Sequence, residues 1–190
     1  MAERAPGRAT GRRHRALEDA SWLNPTAASL LGFLHHGDLS GYELVGIAQV
    51  VIGDFWTLTR SQVYRELARL AERGLIEGRE PGPRSRRAYR LTRRGREAFG
   101  AWIRRPPGTE QIRYPLLLTM AFGAHLGPDH LLALAADHRA VHEERLARYR
   151  ALAGAPLDRY QRATLAFGIH YERAVLAWMD ELPGVLEEGS

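Results

Sequence analysis

The chain has 190 residues, 45% hydrophobic content and a formal charge of +5, enough material for one medium domain or two small ones with real cores. It contains no cysteine, which excludes disulfides, thiolate zinc sites and cysteine nucleophiles, and no lysine, which excludes a phosphate-binding loop of the Gly-Lys-Ser/Thr type. The longest apolar run, Leu116 to Leu126, is too short to span a bilayer, and the arginine-bearing N-terminus has no apolar stretch of a secretory signal, so the expectation is a cytoplasmic protein with no membrane partner.

In chain order, residues 1–20 are polar and carry five arginines with little apolar spacing, which predicts a disordered Arg-rich arm. Pro25 suits a first helical turn, and Ala28, Leu30, Leu31, Phe33 and Leu34 continue an apolar stretch as far as Gly37–Asp38. His35 and His36 at its end are read as caps of terminal carbonyls. Ser40 caps a second helix that packs through Tyr42, Leu44, Val45 and Ile47 and breaks at Gly53–Asp54. Thr59-Arg60-Ser61-Gln62 opens a third helix with capping-box spacing, and Val63, Leu67 and Leu70 form its buried stripe. Its other face carries Ser61, Gln62, Arg65 and Arg69 with Tyr64 at the edge, and Gly74 closes it as a left-handed cap.

Leu75-Ile76-Glu77 reads as a strand, Glu80-Pro81-Gly82-Pro83 as a tight turn, and Ala88-Tyr89-Arg90-Leu91 as the returning strand. Arg84, Arg86 and Arg87 make the hairpin tip basic. Thr92 caps a fourth helix with Ala98, Phe99, Trp102 and Ile103 on its apolar side, and Arg104-Arg105-Pro106-Pro107-Gly108 marks a boundary. Beyond it the chain reads as helical: one helix from Pro115 to Gly127, one from Pro128 to about Ala153, and one capped by Asp158 and reaching about Leu186. The expected organisation is a 1–20 arm, a 21–105 domain and a 106–190 helical domain.

Charge is distributed unevenly over this plan. Residues 60–105 hold 14 arginines against five acids, a net +9, whereas 21–59 and 106–190 are each at −3. A single basic segment coinciding with the third helix and the hairpin points to a polyanion partner. Three helices, a two-stranded hairpin and a fourth helix are the winged helix-turn-helix plan, so the expected fold is mainly α, with a two-stranded β-wing and an all-helical C-terminal dimerisation domain. In that plan the third helix enters the major groove of double-stranded DNA. Arg65 has the fork to pair with guanine and Gln62 the amide to pair with adenine. Ser61, Tyr64 and Arg69 are placed to reach phosphates, and Arg84, Arg86 and Arg87 to follow the backbone or minor groove.

Gly41-Tyr42-Glu43-Leu44, Gln62-Val63-Tyr64 with Leu67 and Leu70, Gly74-Leu75-Ile76, and Tyr89-Arg90-Leu91-Thr92 with Gly95 together resemble the PadR family of bacterial transcriptional regulators. The resemblance is close over residues 28–105 and looser over the C-terminal helices, which are similar in length to those of the larger PadR subfamily. It implies a homodimeric repressor of an inverted-repeat operator, nucleoid-associated when bound, that a small aromatic effector releases. Trp102 on the fourth helix and Trp178 on the last are candidates for the effector or dimer region. A related winged-helix family of the MarR type and a protein-interaction adaptor on the same scaffold are the alternatives.

An enzyme reading has little to rest on. The sequence has no nucleophile elbow and no Gly-rich nucleotide fingerprint, so neither catalytic residues nor a cofactor is expected. His138 and His142 are four apart on one helix, a spacing that can hold a metal, but the glutamate that follows the first His in zincins is arginine here, and no metal is expected.

Overall fold

The structure is a computed structural model that describes residues 7–52, 54–80, 87–110 and 112–187. The chain falls into two units, one ending at Gly108 and one beginning at Thr109.

In the first unit, helix α1 (Gly7–Trp22) precedes α2 (Pro25–Phe33), α3 (Gly41–Val51), α4 (Arg60–Glu72) and α5 (Arg93–Trp102), with strands β1 (Leu39–Ser40), β2 (Ile76–Gly78) and β3 (Ala88–Leu91) between them. Each of α2 to α5 starts where a side chain can satisfy its free N–H groups. Asn24 accepts from Ala27 N at 2.8 Å, Ser40 and Glu43 close a reciprocal capping box, Thr59 and Gln62 close another, and Thr92 Oγ1 accepts from Gly95 N at 3.0 Å. At the other end of α4, Gly74 adopts φ 67°, the left-handed conformation that glycine enters without a Cβ penalty. His35 Nδ1 lies 2.9 Å from Leu31 O, as expected of a residue serving a helix end.

The core gathers Leu30 and Leu31 of α2, Leu44 of α3, Val63, Leu67 and Leu70 of α4, Leu75 just before β2, and Ile76 and Leu91 of the sheet. The strands form an antiparallel sheet in the order β1-β3-β2, with Ile76 opposite Leu91 and Leu39 opposite Tyr89. The expected two-stranded wing thus gains a third, two-residue strand. Leu39 and Ser40 pair with β3 immediately before Ser40 turns to cap α3, so one residue ends a strand and begins a helix.

The arm expected over residues 1–20 is instead helical from Gly7 onward and packs on α5. Its inward face holds Ala20, with Leu23 just beyond its end, and a carboxylate, Asp19, that is 3% exposed. Arg94 meets that carboxylate with two bonds of 2.7 Å and also donates to Arg73 O at 2.9 Å. The hydrogen bond to Asp19 raises the Arg94 pKa above its ordinary value, and the pair supplies the fixed fork geometry that a buried carboxylate needs.

In the second unit, α6 (Pro115–Ala121) is followed by a 3-10 turn at Gly123–His125, so the helix predicted to reach Gly127 is shorter than its apolar run. Helices α7 (Pro128–Leu152) and α8 (Arg159–Glu187) pair antiparallel, because His142, Arg139 and Tyr149 of α7 meet Glu172, Asp180 and Gly168 of α8. Asp158 caps α8 by accepting from Tyr160 N and Gln161 N at 2.7 and 2.9 Å.

One contact fixes the junction of α4, the sheet and α5. Thr92 Oγ1 lies 2.9 Å from both Gly74 O and Leu75 O, and Gly95 passes so close to Leu75 that a Cβ there would collide with the Leu75 carbonyl. Gly95→Ala should therefore destabilise the protein by about 1–3 kcal/mol, the usual cost of overpacking. Gly11→Ala on α1, where a Cβ would meet nothing within 4 Å, should be neutral or stabilising by up to about 1 kcal/mol. Urea unfolding of both variants checks this, and equal shifts would contradict the close approach.

Candidate nucleic-acid interface

Helix α4 is held from within. Val63, Leu67 and Leu70 are fully buried, so the residues between them point away from the core. Ser61, Tyr64, Arg65 and Arg69 are exposed along that outer side, as is Arg60, which in the sequence stands out only as part of the cap. Among the described residues, neither Arg60 nor Arg65 is paired with a carboxylate, and the Arg60 guanidinium sits 5.7 Å from the Tyr64 ring centre. Two strongly hydrogen-bonding cations thus stand on the first turn and a half of the helix, where the N-terminal macrodipole adds positive potential.

The other candidates have structural roles that narrow what they can do. Gln62 Oε1 accepts from Thr59 N at 2.9 Å, so the amide oxygen completes the capping box. A bidentate contact with adenine needs that oxygen as well as the NH2 group, so Gln62 would have to give up the cap to read a base. Ser61 Oγ lies 3.1 Å from Thr59 Oγ1 at the same cap. Tyr64 packs its ring on Gly41, whose missing side chain leaves the space: a Cβ there would approach the ring to 2.8 Å. The ring is nevertheless 41% exposed, so Tyr64 both braces α4 against α3 and keeps a surface edge.

Arg69 is bound at two places. Its guanidinium pairs with Glu66 at 3.2 Å and lies 5.0 Å from the Trp22 ring centre at the end of α1, where Arg73 also stacks at 4.1 Å. Glu66 is nine-tenths buried and its second oxygen has no hydrogen-bond partner among the described residues, so Arg69 is its one compensating charge there. On the wing, Arg84 and Arg86 lie outside the described residues. Arg87 is exposed and its side chain crosses the backbone of Gly78 on β2. Arg79 pairs with Asp38 at 2.8 Å, tying β2 to the loop before β1.

The two candidate tryptophans belong to different units. Trp102 packs against the first unit's core and its indole N–H donates to Leu23 O at 3.1 Å, which anchors the end of α5 to the α1–α2 connection. Trp178 packs in the second unit, 6.0 Å from the Tyr114 ring. Beside it lies a polar core that spacing does not reveal. Glu172 meets His142 Nδ1, and His142 Nε2 lies 3.0 Å from Tyr114 Oη, with His142 and Glu172 both almost fully buried. Burial pushes the Tyr114 phenol above its ordinary pKa, and the neighbouring Tyr171 and Glu172 add to the effect. Both His142 nitrogens therefore face side chains of this network.

Residues 30–101 match the family model described as "Transcriptional regulator PadR-like family", and residues 112–187 match the model described as "Virulence activator alpha C-term". A curated relative, the negative transcriptional regulator PadR of Bacillus subtilis, is 24% identical over 175 residues that cover 84% of this chain and 96% of that protein. The crystal structure of that protein with operator DNA superposes with a TM-score of 0.73 at 24% identity, covering 84% of this chain and 98% of the other. Its complex with p-coumaric acid gives a TM-score of 0.68 at 23% identity over 84% of this chain and 97% of the other. The Vibrio cholerae virulence activator AphA gives 0.69 at 24% identity, covering 87% of this chain and 99% of that one.

The division of the α4 arginines is open to a stability measurement. Arg69→Ala leaves the Glu66 carboxylate buried without its partner and should destabilise the protein by about 1–3 kcal/mol. Arg65→Ala removes only an exposed side chain and should stay within about 0.5 kcal/mol of the parent. Chemical denaturation of the two variants decides the matter, and an Arg65 effect as large as that of Arg69 would refute the division.

Proposed function

We propose that the chain is a PadR-like transcriptional regulator that acts as a homodimeric repressor, binds an inverted-repeat operator through α4 and the wing, and is released by a small-molecule effector. The observation that carries this reading is the outer face of α4. There Arg60 and Arg65 stand exposed, with no carboxylate partner among the described residues, on a helix fixed by its buried stripe and its capping box. Arg65 is the residue assigned to a base edge. Arg60, Ser61 and Tyr64 are assigned to phosphates at the same end of the helix, and the wing arginines Arg84, Arg86 and Arg87 to the flanking backbone or minor groove. Arg69 is assigned to the support of α4 with at most a phosphate contact, and Gln62 to its cap. Repression and effector release are carried over from the Bacillus subtilis relative, which is named a negative regulator and has been crystallised with operator DNA and with p-coumaric acid.

The homodimer rests on the second unit. Leu117, Leu118, Phe122, Val141, Phe167 and Val185 are exposed there, an apolar surface of a kind that soluble chains ordinarily cover with a partner. A palindromic operator also requires two-fold symmetry in the protein that reads it. No helix among the described residues is long and apolar enough to cross a membrane.

Two measurements test the reading. Light scattering of the purified chain at micromolar concentration should give twice the 21.3 kDa chain mass, and a monomer would exclude the dimer. Binding to an operator selected from random duplex and to scrambled duplex, across a salt series, tests the arginine roles. Arg65→Ala should lower operator affinity by about 1–3 kcal/mol and relax preference at one position of each half-site. Arg87→Ala should weaken both duplexes alike and reduce the salt slope by about one for each phosphate that is no longer neutralised. A panel of planar aromatic acids added to the same assay reads effector release. Binding that does not weaken with salt, or no duplex binding at all, would leave the adaptor alternative in place.

A further inference from the structure

Trp22 ends α1, half-buried and packed against the core of the first unit. Two cations sit on its ring. The guanidinium carbon of Arg69 lies 5.0 Å and that of Arg73 4.1 Å from the ring centre. The two arginines are one helical turn apart at the end of α4, and like charges at that spacing repel. The indole face attracts both, Glu66 pairs with Arg69 at 3.2 Å, and the negative end of the α4 macrodipole favours cations there. Among the described residues Arg73 meets no carboxylate, so the ring is what holds it. Helix α1 is docked by other contacts as well. Arg94 grips Asp19 with two bonds of 2.7 Å and donates to Arg73 O at 2.9 Å, and Ala20 and Leu23 are buried. The match to the PadR-like model begins at residue 30, so α1 and Trp22 stand before it.

We propose, on the duplex-binding reading above, that Trp22 is a positioning residue that restrains the sequence-independent part of DNA affinity by holding Arg69 and Arg73 away from phosphates. Arg69 follows Arg65 by one turn on the outer side of α4, and Arg73 follows Arg69 by another. Both are long cations close to a helix that meets the backbone. Sequence-independent affinity is set by how many phosphates a protein neutralises, and each such contact strengthens binding to every duplex alike. Base contacts are what separate one sequence from another. Two cations tied to an indole therefore lower the first quantity and leave the second to Arg65. A phosphate that took Arg69 would also leave Glu66 without its compensating charge, and that carboxylate is buried with one oxygen unpartnered among the described residues.

Packing and charge-holding make different demands on this side chain. A core contact asks only for apolar bulk, which leucine supplies. Holding a guanidinium asks for an aromatic face, which phenylalanine keeps and leucine lacks. Asp19, Ala20 and Leu23 dock α1 without the ring, so the helix stays in place when the ring is exchanged.

The test is binding of the full-length protein to its selected operator and to scrambled duplex across a salt series, with circular dichroism to confirm folding. Trp22→Leu should bind both duplexes roughly threefold or more tightly at low salt, with a salt slope steeper by about one for each arginine released. The ratio of operator to scrambled affinity should stay within about twofold of the parent, because Arg65 is untouched. Trp22→Phe should keep the parent slope. Adding Arg73→Gln to Trp22→Leu should take back about one unit of slope, whereas Arg73→Gln alone should leave slope and affinity as they are. That single exchange leaves the ring intact and decides the matter even where Trp22→Leu does not fold: a slope lowered by about one would mean that Arg73 already neutralises a phosphate, and the proposal fails. An unchanged slope in folded Trp22→Leu, or a changed ratio without a changed slope, overturns it while duplex binding stands. A parent that binds no duplex overturns both.

Discussion

A helix that reads a surface outside the protein can do so only if its inner face does not move, and in this chain that condition is met by three side chains. Val63, Leu67 and Leu70 are sealed against α2, α3 and the sheet, each contributing roughly 1.5–3 kcal/mol by burial. The way α4 presents its outer face follows from that anchorage. The stripe sets the rotation of the helix and therefore which residues face out. The capping box sets where the helix begins, so that Arg60 and Arg65 occupy its first turns rather than a frayed loop. Gly74 ends it and sends the chain directly into β2, and Thr92 and Gly95 lock the returning strand and α5 against the same carbonyls. Helix α4 and the wing strands are thereby held by one junction.

The arginine excess has two meanings that the structure separates. Segment 60–105 carries a net +9, yet Arg69, Arg79, Arg93 and Arg94 are each paired with a carboxylate and Arg73 stacks on Trp22. Those residues act within the fold. They tie α1 to α5, brace the foot of α4 and close the loop before β1. Among the described residues, Arg60 and Arg65 at the start of α4 meet no carboxylate, so their charge is left on the surface. A count of charge per segment thus overstates the electrostatic surface, because long-range pairs such as Arg94 with Asp19, 75 residues apart, cancel in space and not in sequence.

What is legible in the sequence is local. Ser40, Thr59, Thr92 and Asp158 each stand before a helical pattern with a group able to accept from the N–H three residues on, and each proves to be a cap. The buried stripe of α4 and the left-handed Gly74 are readable for the same reason. The features that escape depend on distance or on small residues. Helix α1 reads as an arm because its buried face is made of one alanine, Ala20, and an aspartate, and Asp19 is a core residue only in the presence of Arg94. Strand β1 is two residues long and is defined by its partner, not by its own pattern. Gln62 satisfies two patterns at once, a cap and a base reader, and the hydrogen bond to Thr59 N decides for the cap in the unbound protein. Tyr114, His142 and Glu172 are about thirty residues apart in the chain, so no spacing rule joins them.

That last network explains how the second unit keeps one arrangement. Two long antiparallel helices with leucine and alanine between them could slide by a turn at small cost, since one apolar contact replaces another. A buried histidine and a buried glutamate cannot slide, because each would lose its partner and remain desolvated, a penalty of about 3–5 kcal/mol for breaking such a pair. Tyr149 seated on Gly168 and Arg139 paired with Asp180 enforce the same register at either side. Fixing the register also fixes which apolar side chains are left outside, so Val141 of α7 and Phe167 of α8 are exposed in a definite pattern rather than an averaged one. A surface that is to meet an identical copy of itself must be self-complementary about a two-fold axis, and only a unit of defined register can offer such a surface. The polar core is thus the internal condition for the symmetry that an inverted repeat would demand.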